Sequence, residues 1–127
     1  MWFWLLALAG LGLDLATKEL VFTRFASGED LHVIRGCFTI HRQEGLNRGA
    51  LFGLANSPET GAIANRVFAA ISGLAILGIV CWSLRSAFAS DRWLCLALGC
   101  ILGGAAGNFY DRVVHGGVRD FLWVYYE

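Results

Sequence analysis

Charge is scarce in this sequence and evenly matched: Asp, Glu, Lys and Arg make up 16% of the residues, and ten basic side chains balance ten acidic ones. With no basic excess to draw the chain onto phosphate, nucleic-acid binding is excluded on electrostatic grounds. Proline occurs once, against 16 glycines, a balance that fits long helices packing closely through small residues. The four cysteines, Cys37, Cys81, Cys95 and Cys100, form no C-x-x-C or His-paired arrangement, and three lie in apolar runs. They read as small packing residues; no metal and no cofactor is expected.

What is abundant is apolar surface, with 57% hydrophobic residues and a mean hydropathy of +0.57. A soluble domain rarely carries so much, and a membrane is the expected solvent. A bilayer core about 30 Å thick takes about 20 apolar residues at a rise of about 1.5 Å each. Three stretches qualify, residues 1–22, 67–84 and 93–110. The first is no secretory signal peptide, because it lacks a basic leading region and holds Asp14 and Lys18 within the span. Between the first two spans, residues 26–58 alternate in places, Phe38 and Ile40 against Thr39 and His41, with glycines at 36, 45, 49 and 53. That pattern predicts a small extramembrane sheet with tight turns. Residues 85–92 form a short polar hairpin between the second and third spans, and the whole of 1–127 reads as one domain. The fold class is an all-α membrane bundle with a small extramembrane β-sheet. Charge does not decide the orientation, since arginines flank the short loop and also occupy the long one.

Three clusters carry chemistry. Asp14 and Lys18, four residues apart, share a helix face. An ionised group at the bilayer centre costs about 2.5–3.5 kcal/mol, whereas an exposed i,i+4 pair returns about 0.3–0.5 kcal/mol. The pair therefore lies near an interface, with Lys18 snorkelling, or faces a polar cavity among the helices. Asn47-Arg48-Gly49-Ala50-Leu51-Phe52 offers a carboxamide beside glycine and then apolar residues, which suits either an ordinary turn or a loop that hydrogen-bonds a peptide at the membrane surface. Finally, 103–112 runs from small residues into Asn108, Asp111 and Arg112, and a glycine-rich turn leads on to Asp120. Asn108 and Asp111 share a face if the helix continues, and the neighbouring Arg112 is the expected partner of Asp111.

These motifs, Asp14-x-x-Thr17-Lys18, Asn47-x-Gly49-Ala50-x-Phe52, Gly107-Asn108-x-x-Asp111-Arg112 and Val118-Arg119-Asp120-Phe121, resemble those of the lipoprotein signal peptidases, in the family's order and at its places relative to the spans. The resemblance implies four transmembrane helices, an external sheet, and cleavage of diacylglyceryl-modified bacterial prolipoproteins just before the lipidated cysteine. It implies a multi-pass protein of the bacterial inner membrane, monomeric and in contact with membrane lipids, with residues 26–58 and 111–127 on the periplasmic or outer side. It assigns an aspartyl mechanism in which Asp120 is the first catalytic carboxylate. Asp14, Lys18, Asn47, Gly49, Asn108, Asp111 and Arg112 then support the site or the substrate, without metal or cofactor.

The family's second catalytic aspartate lies in a Phe-Asn-x-Ala-Asp motif that opens a fourth span, and residues 1–127 contain neither. The expectation is a C-terminally truncated chain with three of four spans, inactive as it stands, because an aspartyl mechanism needs one ionised and one protonated carboxyl group. The alternative is a non-catalytic membrane protein that retains the lipid-binding scaffold. A small transporter or channel subunit fits less well, since the polar residues gather toward one side of the membrane.

Overall fold

Leucine- and alanine-rich sequence with no internal proline gives three helices of equal length, α1 (Trp2–Arg24), α2 (Gly61–Ser83) and α3 (Arg92–Val114). Three short strands, β1 (Asp30–Ile34), β2 (Phe38–His41) and β3 (Leu122–Val124), complete the fold. The computed structural model describes residues 2–49, 60–85 and 91–124. Ala50, Leu51 and Phe52 of the loop motif, and most of the hairpin expected at 85–92, lie outside them. Helices α2 and α3 are each long and apolar enough to cross a membrane. Helix α1 is as long, but Asp14, Lys18, Glu19 and Arg24 occupy its second half. Helix α2 starts six residues before the apolar run at Val67, and its first turns include Asn65, whose side chain is buried against Arg112.

Helices α1 and α3 run parallel. Along their contact Gly99 meets Phe3, Gly103 meets Ala7 and Gly10, and Gly107 meets Asp14. The approach is set by backbone: a Cβ on Gly99 would stand 2.8 Å from the Phe3 carbonyl oxygen, and one on Gly103 2.9 Å from that of Ala7. Such distances exclude any side chain, so small residues draw the helices together as the sequence led us to expect. Phe3, Ala7 and Leu102 form the buried apolar centre, with Ile76, Ile79 and Val80 of α2 packed against it. Helix α2 runs antiparallel to α3, with Asn65 beside Arg112 and Gly73 beside Phe109. Asp91 caps α3, its carboxylate accepting from the amides of Trp93 (3.0 Å) and Leu94 (3.1 Å).

The strands form one antiparallel sheet in the order β1-β2-β3. Gly36, with φ +78°, turns β1 into β2 beneath a hydrogen bond from the Cys37 amide to the Ile34 carbonyl. Since β3 follows α3 and pairs with a strand that follows α1, the C-terminal ends of both helices lie at the same end of the molecule. The expected alternation is present, but the polar residue is the covered one. Thr39 is 2% exposed and hydrogen-bonded to His32 Nδ1 at 2.8 Å, with Trp123 paired across from it. The other face aligns Leu31, Ile40 and Leu122 in one row and Ile34, Phe38 and Val124 in the next. Four of these, Leu31, Ile34, Leu122 and Val124, are largely exposed. The cysteines also depart from expectation: Cys37, Cys81 and Cys100 are exposed, and Cys95 is the one that is partly buried.

Candidate active site

At the sheet end of the bundle the α1–α3 contact changes from apolar to ionic. Lys18, only 3% exposed, donates to Asp14 Oδ2 at 2.6 Å and to Asn108 Oδ1 at 2.9 Å. Its ammonium also stands 3.3 Å from Asp111 Oδ2. Three acceptors around one buried ammonium compensate for the desolvation that the i,i+4 pair alone does not. The alternative of a polar setting among the helices is therefore the one realised. Gly107 makes room for it, since a Cβ there would collide with the Asp14 carboxylate.

Asp111 has no exposed surface. Its partner is Arg119, and not the adjacent Arg112. Arg119 Nε (3.1 Å) and Nη2 (2.9 Å) donate to Oδ1, and the Arg119 main-chain amide donates to Oδ2 at 3.1 Å. The expectation of an Asp111–Arg112 pair fails because successive helical residues point about 100° apart. Arg112 turns toward α2 and the loop, donating to Gly49 O (2.9 Å), Arg48 O (3.2 Å) and Asn65 Oδ1 (3.3 Å), with its guanidinium over the Phe68 ring. Asn65 Nδ2 donates in return to the Arg112 carbonyl at 3.0 Å.

Asn47 and Asp120 meet across a short bridge. The main chains of Asn47 and Val118 exchange two hydrogen bonds, of 2.9 and 2.8 Å, and Asn47 Nδ2 donates to Asp120 Oδ2 at 2.7 Å. Asn47 Oδ1 accepts from the Gly49 amide at 3.1 Å, which fixes the carboxamide so that its NH2 faces the carboxylate. Gly117 fits tightly under Leu46, where a Cβ would lie 2.7 Å from the leucine Cβ.

All eight residues singled out in the sequence thus lie at one end of the bundle, in two connected groups. Asp14, Lys18, Asn108 and Asp111 form the ionic group between α1 and α3. Asn47, Gly49, Arg112 and Asp120 form the second, around the loop. Asp111 is fully engaged, whereas the Asp120 carboxylate is only partly buried. Sequence reasoning missed Glu19, Asn65 and Arg119. Arg119 was legible as a motif residue, but nothing in its spacing named its partners. Burial alone acts to lower the Arg119 pKa, yet hydrogen bonds and charge from Asp111 and Glu19 outweigh it and hold the guanidinium above its ordinary value. Among the described residues no group of three or more His, Cys, Asp or Glu could hold a metal ion.

The family described as Signal peptidase (SPase) II matches residues 6–127. A lipoprotein signal peptidase of Rhodopirellula baltica is 44% identical over 93% of this chain, which spans 56% of that relative's length. Those of Symbiobacterium thermophilum and Brevibacillus brevis are 36% and 38% identical, with 74% and 76% of their lengths covered. A solved structure described as a bacterial membrane enzyme, determined by the in meso method, superposes with a TM-score of 0.77 at 26% identity, covering 94% of this chain and 68% of that one. The match over residues 6–127, with relatives 36% and 38% identical over about three quarters of their lengths, makes this chain a member of the signal peptidase II family.

Proposed function

We propose that this chain carries the substrate-binding surface and one of the two reacting carboxylates of a membrane aspartyl endopeptidase, which removes signal peptides from diacylglyceryl-modified prolipoproteins. The observation that carries the reading is the contrast between the two aspartates. Asp111 is sealed and saturated by Arg119 and Lys18, while Asp120 is only partly buried, with one oxygen held by Asn47. A carboxylate that must take a proton from water or give one to a leaving group needs access and an unsaturated lone pair, and Asp120 has the access. With Asp111 engaged in this way, Asp120 lacks a second reacting carboxyl group within the described site, and the expected outcome for residues 1–127 alone is no cleavage.

Three spans with the sheet on the outer side complete the reading. The parallel packing of α1 against α3 supports it, as does the exposure of Trp2, Leu5, Leu8 and Leu13 on α1, a set suited to lipid. The exposed apolar sheet face suits a lipid surface or a lipidated peptide. Asp14, Lys18, Asn108 and Asp111 then hold the helices in register beneath the site, and Asn47, Gly49 and Arg112 hold the loop over it.

A gel-shift assay on a diacylglyceryl-modified prolipoprotein tests this. The 127-residue chain should give no cleavage, the protein extended by its natural downstream sequence should cleave, and Asp120→Asn in that extended form should abolish turnover. Cleavage by the 127-residue chain would show that no outside carboxyl is needed. Failure of the extended form, with the protein folded, would favour a scaffold that binds lipoprotein without cutting it.

A further inference from the structure

Asp120 is covalently flanked by a residue that points the other way. In extended backbone, neighbouring side chains take opposite sides. As Asp120 turns toward Asn47, Arg119 turns into the bundle, where it is 6% exposed. Its guanidinium reaches two helices at once: Nε and Nη2 hold Asp111 of α3, and Nη1 holds Glu19 Oε2 of α1 at 2.9 Å. We propose that Arg119 is a positioning residue, tying the segment that bears Asp120 to α1 and α3 so that the carboxylate keeps a fixed place relative to the helices. The proposal rests on the reading of Asp120 as the reacting carboxylate.

Three consecutive residues are anchored in three different ways. Val118 is held by the main chain of Asn47, and Asp120 by the side chain of Asn47. Both of those anchors lead to the same loop. Arg119 leads to the helices, through three hydrogen bonds to Asp111, one of them from its own main-chain amide. Without its side chain the segment would keep one tie to α3, from the Arg119 main-chain amide to Asp111, and would lose the other two bonds to Asp111 and its link to α1. A displacement of about 1 Å at a reacting group can cost about 100-fold in rate, so a direct tie to the rigid elements bears on turnover and not merely on stability.

The two arms differ in strength. The Asp111 arm is sealed, with side-chain exposures of 7% and 0%, whereas the Glu19 side chain is 67% exposed. Solvent screens the outer arm, so Glu19 steers the guanidinium and Asp111 holds it. Lysine in place of Arg119 would keep the charge but lose the planar set of donors that serves two carboxylates at once.

Hydrogen exchange on the 127-residue chain in detergent, and steady-state prolipoprotein processing by the extended protein, test this together. Arg119→Met should raise exchange across residues 118–121 by about tenfold or more while α1 and α3 keep their protection. In the extended protein it should lower kcat by at least about tenfold with KM within about twofold of normal. Arg119→Lys should recover part of both. Glu19→Ala, which disturbs an exposed group and leaves the buried contacts intact, should give a smaller rise in exchange and guards against misfolding of the methionine variant. Unchanged exchange at 118–121 in Arg119→Met overturns the tie. Normal kcat in Arg119→Met, with Asp120→Asn inactive, overturns the positioning role and leaves the reading of Asp120 standing. Normal turnover by Asp120→Asn overturns that reading instead, and exchange alone then decides whether the tie exists.

Discussion

The contact between α1 and α3 is made twice over, by different means. In its first half glycines bring backbone to backbone around Phe3, Ala7 and Leu102. In its second half, beginning where Gly107 admits the Asp14 carboxylate, five ionisable side chains, Asp14, Lys18, Glu19, Asp111 and Arg119, hold the same two helices. The apolar half gains little from leaving lipid, because lipid is as apolar as leucine; it holds by close packing. The ionic half is costly to form and costly to break, and it fixes geometry. One pair of helices therefore combines a contact tolerant of small volume changes at its lipid-facing sides with one that tolerates no missing partner.

Removing a partner from the ionic half should produce the largest effect on stability. Lys18→Met leaves Asp14 and Asp111 facing each other with one cation fewer, and should destabilise by about 3–5 kcal/mol, the range for stranding a buried charge. Equilibrium unfolding in mixed micelles, followed by circular dichroism, measures this. A loss below that from Leu102→Ala would reverse the ranking of the two halves. Leu102→Ala should fall near the low end of about 2–5 kcal/mol, because the transfer contribution is muted in lipid.

Crowding the backbone contact comes next. Gly103→Ala forces a methyl group against the Ala7 carbonyl and should cost about 1–3 kcal/mol. Gly104→Ala, where a Cβ would meet nothing within 4 Å, should be neutral in the same assay. Equal losses at both would mean that helix approach does not depend on position. Smallest of all, Asp91→Ala removes the cap of α3 at the end remote from the ionic half and should cost about 1 kcal/mol, with prolipoprotein processing by the extended protein unchanged. A loss of processing there would couple the two ends more tightly than the packing implies.

How much of this the sequence disclosed follows from helical arithmetic. Asp14 with Lys18, and Asn108 with Asp111, were legible because spacings of four and three put side chains on one face. What brings the two faces together is the glycine series at 99, 103 and 107, visible as small residues but not as a register. Arg119 was assigned no partner because it lies past the end of α3, where no periodicity applies, and Asp111 was matched with its neighbour in sequence instead of its neighbour in space. In the sheet, alternation identified β2, yet period two says only which residues share a face and nothing of which face is covered. Thr39 is inside because His32 and Trp123 lie over it.

The span of sequence between the partners in the ionic network has a consequence for how the protein is made. Lys18 and Asn108 are 90 residues apart, and Arg119 and Glu19 are 100 apart. At about 5–20 residues per second, α1 leaves the ribosome several seconds before the groups that neutralise its second half exist. On the three-span reading, Lys18 has only Asp14 for company through that interval, so α1 must remain near the interface or in a polar channel until α3 arrives. Chains arrested at residue 107 should leave a cysteine introduced at position 21, on the buried face of α1 and with Lys18 intact, open to aqueous labelling, and chains arrested beyond residue 119, with enough further length to clear the ribosome, should close it. Insertion of the first helix is then completed by the third, and the nascent protein carries its own checkpoint for assembly.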